Sequence, residues 1–374
     1  MRDIVVVGWS ALTSAGVGAG ALAHRLAGAD SGTPTASRGV DVGHLYPEPL
    51  PAPTGHALVD FDVRARLGRK GTSSFDRTTG LAVVCCQQAL REARLDPAAT
   101  DGSRVGVALG TSLGSFKSTS DYSRETLVQE RPYLVNPVLF PNTVMNCAAG
   151  QVAIRFGLRG VNATIAGGPL AFLNAVRYAR NVFDRGYADV MLTGAVEEYT
   201  PHRAWAAHLT GTTAVVTAGE AAAVFVLCRP EPPAWIGGRT CARIRAVATG
   251  YGPGGEESAE RALTGCVARA LRQAGVDAID VTTVLTGEAD EADRREYGPA
   301  ARALGYEPRR VLAKRVLGEC DAASGAVALA VFLAGERRRT DPSTTLCLIT
   351  GRGADGAVGA AIVERYADAG PDRG

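Results

Sequence analysis

The sequence predicts an α/β protein built from two similar halves that share one layered α/β/α/β/α core. Three observations carry this reading. Short apolar runs of strand length alternate with longer segments whose apolar residues recur at helical spacing, the pattern of strands joined by crossover helices. The alternation stops at a proline-rich stretch, residues 231–233, and then begins again. Both halves also end alike, ADVMLTGAVE…GEAAAVFVL and TTLCLITGRGADGAVGAAIVE. Each is a buried strand, a glycine-containing turn and a second strand rich in small residues. The expected halves, each of βαβαβαββ order, are residues 1–234 and 235–374 of one integrated unit.

In the first half, residues 4–7, 105–110, 163–166, 190–193 and 222–227 read as strands. Each is a small or β-branched apolar run too short for a helix, and continuous apolarity implies a sheet covered on both faces. Residues 75–94, 142–156 and 170–185 carry the helical period, and a further helix follows GTSLG at 115–127. The second half repeats the theme: strand 244–249, helix 257–274, strand 282–285, helix 293–304, helix 323–335, then strands 345–349 and 358–363. Residues 32–55 are dense in proline and glycine and are expected to form a surface excursion outside the core.

Composition excludes several classes of function. Forty basic residues balance 38 acidic ones for a net charge of +2, which gives no electrostatic reason to expect nucleic acid or an anionic membrane as partner. No run reaches the roughly 18 to 20 apolar residues that span a bilayer. The N-terminal DIVVVG run lacks the length of a secretory signal, so a cytoplasmic protein is expected. The eight cysteines form no C-x-x-C pair and lie mostly in apolar runs, so they read as buried free thiols, without disulfides or metal. No cofactor site is visible, because the glycine-rich turn 351–356 lacks the strand–GxGxxG–helix context of a nucleotide fold.

Four stretches, in order, carry a family resemblance. They are VNPVLFPNTVMNCAAGQVAIRFGLRG (135–160), VNATIAGGPLAFLNAVRYARNVFDRGYADVMLTGAVE (161–197), LAKRVLGECDAASGAVAL (312–329) and GRGADGAVGAAIV (351–363). Together they resemble the β-ketoacyl synthases of the thiolase fold. The first is similar to a P-x-x-x-P-x-x-x-x-N-x-x-A-G segment near the dimer contact, the second to the nucleophile segment, the third to K-x-x-x-G-H-x-x-x-A-x-G. The fourth resembles the glycine-rich closing loop. The resemblance implies a cysteine nucleophile at a helix start, two histidines that stabilise the charge formed on decarboxylation, and backbone N–H groups for an oxyanion.

This chain departs from that pattern at each chemical position. Pro169 stands at the nucleophile position; it has no attacking atom and no N–H, and one oxyanion donor alone is worth about 3 kcal/mol. Proline also fits a purely structural role at the first position of a helix. The five histidines are His24, His44, His56, His202 and His208, so no alignment places one in the second half. The first histidine position falls on Leu285 or Thr286, ahead of matching Asp293 and Glu296. The second is Glu319, with Lys314 retained, and that pair reads as an ion pair before it reads as an acid and base. Ala354 is expected in place of a bulky gate residue, and the connector from Glu197 to Gly219 is short, as if the site entrance were dismantled. Cys147 falls on a packing position and is not a substitute nucleophile.

The resemblance then implies a steric function. Synthases of this family dimerise through the strand before the nucleophile, here Ala163, Thr164, Ile165 and Ala166, with Asn146 nearby. A silent copy that pairs with an active ketosynthase is similar to the chain length factor of type II polyketide systems, although those proteins commonly carry Gln where this one has Pro169. Under this reading Phe116, Thr119, Ser120 and Ser123 share one helix face and wall the acyl tunnel, with Leu139, Phe140 and Val144 adding apolar lining; ordinary core packing explains them equally well. The implied partners are the active ketosynthase subunit and an acyl carrier protein. Two alternatives stay open: an acyltransferase or malonyl decarboxylase using Glu319 and Lys314, and a homodimeric acyl-binding or scaffold protein.

Overall fold

Ten consecutive buried residues, Ile4–Thr13, form strand β1, which only a sheet covered on both faces accommodates. The computed structural model describes residues 3–30, 39–211, 217–335 and 345–366. The first half continues with β2 Val105–Thr111, β3 Asn162–Ala166, β4 Val190–Glu197 and β5 Ala221–Cys228. The second half holds β6 Ala242–Tyr251, β7 Val281–Leu285, β8 Arg309–Val311, β9 Thr345–Arg352 and β10 Ala357–Arg365. With the two-residue strand Gly16–Val17 beside β1, they form one eleven-stranded sheet of order β8-β7-β9-β10-β6-β1-β5-β4-β2-β3.

The two halves have the same topology. β1 and β4 flank β5 antiparallel, while β2 runs parallel to β4 and to β3. In the second half β6 and β9 flank β10 antiparallel, and β7 runs parallel to β9 and to β8. The sheet is continuous because Ile4, Val5 and Val6 pair antiparallel with Ile244, Arg243 and Ala242.

Helices occur in three layers. Besides the short helix Val63–Leu67, they are α1 Ala19–Asp30, α2 Arg77–Glu92, α3 Phe116–Val128, α4 Cys147–Phe156, α5 Ala171–Asp184, α6 Pro201–Leu209, α7 Glu256–Ala274, α8 Tyr297–Leu304, α9 Ala313–Leu317 and α10 Ser324–Gly335. α2 and α4 pack on the outer face of the first half, and α7 and α8 on that of the second. Between them α5 and α10 share the largest core cluster with both half-sheets, which completes the α/β/α/β/α order expected for a thiolase-like fold. α10 (SGAVALAVFLAG) is apolar all round and buries every residue from 326 to 334, as a helix between two sheets must. Gly110 lets α5 approach β2, since a Cβ there would meet the Ala171 Cβ at 2.9 Å.

Several boundaries differ from the sequence reading. The helix expected at 142–156 begins at Cys147, because residues 137–143 form a tighter 3₁₀ segment with Pro141 inside it. The helix expected at 293–304 begins at Tyr297, where the Glu288 carboxylate accepts the N–H of Glu296 (2.6 Å) and of Tyr297 (3.1 Å). α1, α6 and the three-residue edge strand β8 were not foreseen; β8 reads RRV, too short and too charged to signal a strand. The proline-rich excursion also contributes to packing. Val42 is fully buried with Ala57, Tyr199, Ala204 and Ala218 in a satellite cluster, while residues 31–38 lie outside the described residues. Among the described residues no helix is long and apolar enough to cross a membrane. All eight cysteines are free thiols, seven of them buried and Cys241 half-buried.

Candidate functional site

The centre of the molecule is reached at the start of α5. β3 ends at Ala166, the chain turns through Gly168 at φ +50°, and Pro169 occupies the 3₁₀ turn that leads into the helix. Its fixed φ and missing donor suit that first turn, where an N–H has no intrahelical partner. A crevice opens against it, lined among others by Thr286, Lys314, Cys320, Thr350 and Arg352. Its volume is only ≈ 20 Å³, room for about one water and not for an acyl chain.

Strand alternation separates the two residues that sequence spacing left open. Thr286 lines the crevice, whereas Leu285, fully buried, faces the other way into a second, apolar crevice with Leu26, Val311 and Phe332. The Thr286 hydroxyl is buried and has no hydrogen-bond partner. Glu319 is closed off by its neighbours. It pairs with Lys314, and its Oε1 accepts the Asp321 N–H at 2.9 Å and the Ser324 hydroxyl at 3.1 Å. Burial opposes the Lys314 charge, but Glu319 outweighs it and raises the lysine pKa.

Glu296 also lines the crevice. Burial raises its pKa, against the Gly287 N–H at 2.8 Å and the Thr350 hydroxyl at 2.7 Å, both of which it accepts. Ala354, expected in place of a bulky gate residue, lies in an exposed turn, and it is Arg352 that lines the crevice, held by a two-point pair with Glu256. The GRG triplet at 351–353 was the available signal.

Sequence reasoning missed Arg203, which comes from the short connector after β4. Its guanidinium is buried and bonds to Asp321 and to the carbonyls of Glu198 and Gly219. Burial disfavours its charge, and Glu197 with Asp321 more than compensates, so the pKa lies above the ordinary value. Asp321 itself adopts φ +42°, rare for a residue with a side chain. No local pattern announces this pair, because its members are 118 positions apart. Cys147 sits at the start of α4, yet burial pushes its thiol pKa up, and it bonds to Asn142 at 3.3 Å. His56 packs against Gly318 without lining the crevice.

The residues expected at a tunnel and a dimer contact lie on one side of the first half. Phe116 stands edge-on to His202 with ring centroids 5.7 Å apart. The Thr119 hydroxyl donates to the carbonyls of Ser115 (3.0 Å) and Thr143 (3.4 Å), and Tyr122 meets the Phe140 ring. Ser120 and Leu139 are half-buried; Ser123, Phe140, Val144 and Asn146 are exposed. None of the seven tunnel candidates lines either crevice. Ala163, Thr164, Ile165 and Ala166 lie in β3, an edge strand with no partner on its outer side among the described residues.

A duplicated five-layer core with a crevice at the start of its first central helix defines a thiolase-like ketosynthase architecture. Comparison with known proteins agrees. The family model of the β-ketoacyl synthase N-terminal domain matches residues 1–229. The solved ishigamide ketosynthase/chain length factor superposes with a TM-score of 0.82 at 32% identity, over 98% of this chain and 99% of that one. A 3-oxoacyl-[acyl-carrier-protein] synthase 2 from Staphylococcus aureus is 26% identical over 319 residues, 75% of this chain and 77% of the relative. A type II polyketide acyl-carrier protein in complex with its ketosynthase gives a TM-score of 0.78 at 17% identity, over 98% of this chain and 100% of that one, a likeness of fold. The chain belongs to the β-ketoacyl synthase family.

Proposed function

We propose that this protein is a non-catalytic chain length factor, which pairs with an active ketosynthase and limits the length of a polyketide or polyene chain by shape. The observation that carries the proposal is the occupied reaction centre. Pro169 is at the position the resemblance gives to the nucleophile, Thr286 and the Glu319–Lys314 pair at those it gives to the imidazoles, and the crevice against Pro169 has room for about one water. The closed pair weighs against the decarboxylase alternative, since Glu319 has no free oxygen with which to act.

Pairing is supported by the surface around β3. Leu127, Val128, Leu134, Val138, Phe140 and Ile154 are all large, apolar and at least half exposed, and such a concentration marks an interaction face. In the paired state β3 would gain a neighbour through Ala163, Thr164, Ile165 and Ala166. Phe116, Thr119, Ser120, Ser123, Leu139, Phe140 and Val144 would then wall a tunnel that the partner closes. The names of two similar proteins refer to a chain length factor and to an acyl carrier protein. A docking place for such a carrier, should its surface be acidic, is the exposed segment with Arg64, Arg66, Arg69 and Lys70, braced by Arg155 on the carbonyls of Leu67 (2.7 Å) and Lys70 (2.9 Å).

Co-expression with a neighbouring synthase tests the proposal. A stable one-to-one complex is expected on sizing, and Thr119→Trp is expected to shorten the product of the reconstituted pair. Turnover of malonyl carrier protein by the isolated chain, abolished by Glu319→Ala, would support the enzyme reading instead.

A further inference from the structure

Helix α3 carries the side chains assigned to the tunnel wall, yet it supplies no cap for its own first turn. Ser115 stands at the N-cap position and its side chain makes no capping hydrogen bond. The first N–H groups of a helix lack intrahelical partners and carry partial positive charge, so an acceptor must come from elsewhere.

One carboxylate from another element provides it, and a second ties down a side chain of the same turn. Glu198, which follows β4 and is 3% exposed, accepts the Lys117 N–H through Oε1 at 3.2 Å. Asp76, the N-cap of α2, accepts the Thr79 N–H on Oδ1 at 2.9 Å and the Ser118 hydroxyl on Oδ2 at 3.0 Å. It therefore ties the starts of two helices together. The Lys117 ammonium is held by Glu48 at 2.6 Å and by Asp121 at 2.9 Å. The approach to the helix is fixed in the same way: Glu197 accepts the Ser112 N–H at 2.7 Å, and Thr111 Oγ1 accepts the Gly114 N–H at 2.9 Å. Side chains rooted in β4 and α2 thus set where α3 begins.

We propose that Glu198 is a positioning residue for product length: it holds the first turn of α3, and with it Phe116, Thr119 and Ser120, at the depth that fixes how far the acyl chain extends. This rests on the chain-length reading above. A merely structural Glu198 would affect stability and yield of the complex but leave the product ratio alone, so the ratio is the decisive readout.

The test uses the complex reconstituted with its partner synthase, with products quantified by mass spectrometry per mole of assembled pair. Glu198→Ala is expected to change the ratio of the main product to its neighbours in length by about fivefold, the factor that loss of a typical N-cap corresponds to. Glu198→Gln keeps an oxygen for the Lys117 N–H and is expected to retain the wild-type ratio. Ser118→Ala should move the ratio in the same direction as Glu198→Ala, by less. A wild-type ratio in Glu198→Ala, beside a shortened product in Thr119→Trp, overturns the assignment of Glu198 and leaves the chain-length reading intact. An unchanged product in Thr119→Trp overturns both. Should Glu198→Ala fail to assemble, Ser118→Ala decides alone, and an unaltered ratio there overturns the proposal.

Discussion

Lys314 and Glu319 form an ion pair beside the crevice at the start of α5. The pair is mostly buried, with side-chain exposures of 12% and 21%. Removing one partner strands the other charge, so Lys314→Met is expected to cost about 3 kcal/mol. Lys314→Met combined with Glu319→Leu should recover most of that, because two apolar groups need no compensation. Urea denaturation of the two variants and the wild type checks the difference. Glu198 makes a second residue-scale prediction. Burial, with Asp76 and Glu220 adding and the Lys117 N–H opposing, pushes its carboxyl up to about 7 from an ordinary 4.5. The folded state therefore holds this proton more tightly than the unfolded chain. The resulting stability is complete below pH 4.5 and is lost as pH rises through about 7. At 1.36 kcal/mol per unit the wild type should lose about 3 kcal/mol relative to Glu198→Gln across that window. Denaturation series at pH 4.5 and 8 measure it. Pro169 and Glu319 were singled out from sequence by resemblance to ungapped motifs. Glu198 and Arg203 were not, because their partners lie 81 and 118 residues away.

At the scale of elements, the strands were the most legible part of the chain, since a run buried on both faces is apolar throughout. Most extend a few residues beyond their apolar cores, as β1 does through Gly8, Trp9 and Ser10, where pairing with β5 continues although the residue types change. The edge strands behave differently. β8 escaped notice because an edge needs few apolar residues. β3 was found, but its free side is what gives it a proposed role. The Val107 N–H donates to the Val161 carbonyl at 2.7 Å. Residues 161, 163 and 165 therefore turn their backbone groups toward β2, and Thr164 turns its own outward. Thr164→Pro removes that outward donor with no bond lost inside the chain, and proline is tolerated on edges. The variant is expected to lose pairing with the partner synthase on sizing while its own thermal midpoint moves by only a few degrees.

For the whole molecule, both halves repeat the 1-5-4-2-3 strand order. The central helices α5 and α10 are shared by both half-sheets, so core packing is independent of which side chain stands at position 169. Net charge is near zero, so any electrostatic attraction for the proposed carrier must come from local asymmetry such as Arg64, Arg66, Arg69 and Lys70. Reversing two of them, Arg66→Glu with Arg69→Glu, should weaken carrier binding by roughly tenfold at low ionic strength. The difference should shrink as salt shortens the screening length to about 8 Å or less. Titration at two salt concentrations reads both effects.

The sequence by itself determined the alternation of strands and helices, the duplication, and the lack of any histidine beyond His208. These depend on local period and on residue identity, which a linear chain displays directly. The tertiary structure alone decided that Thr286 rather than Leu285 meets the crevice, that Arg352 rather than Ala354 reaches it, and that Glu198 and Asp76 hold the start of α3. Those outcomes depend on which side of a strand faces inward and on polar contacts between distant segments, and such contacts come into being only when the core brings the segments together.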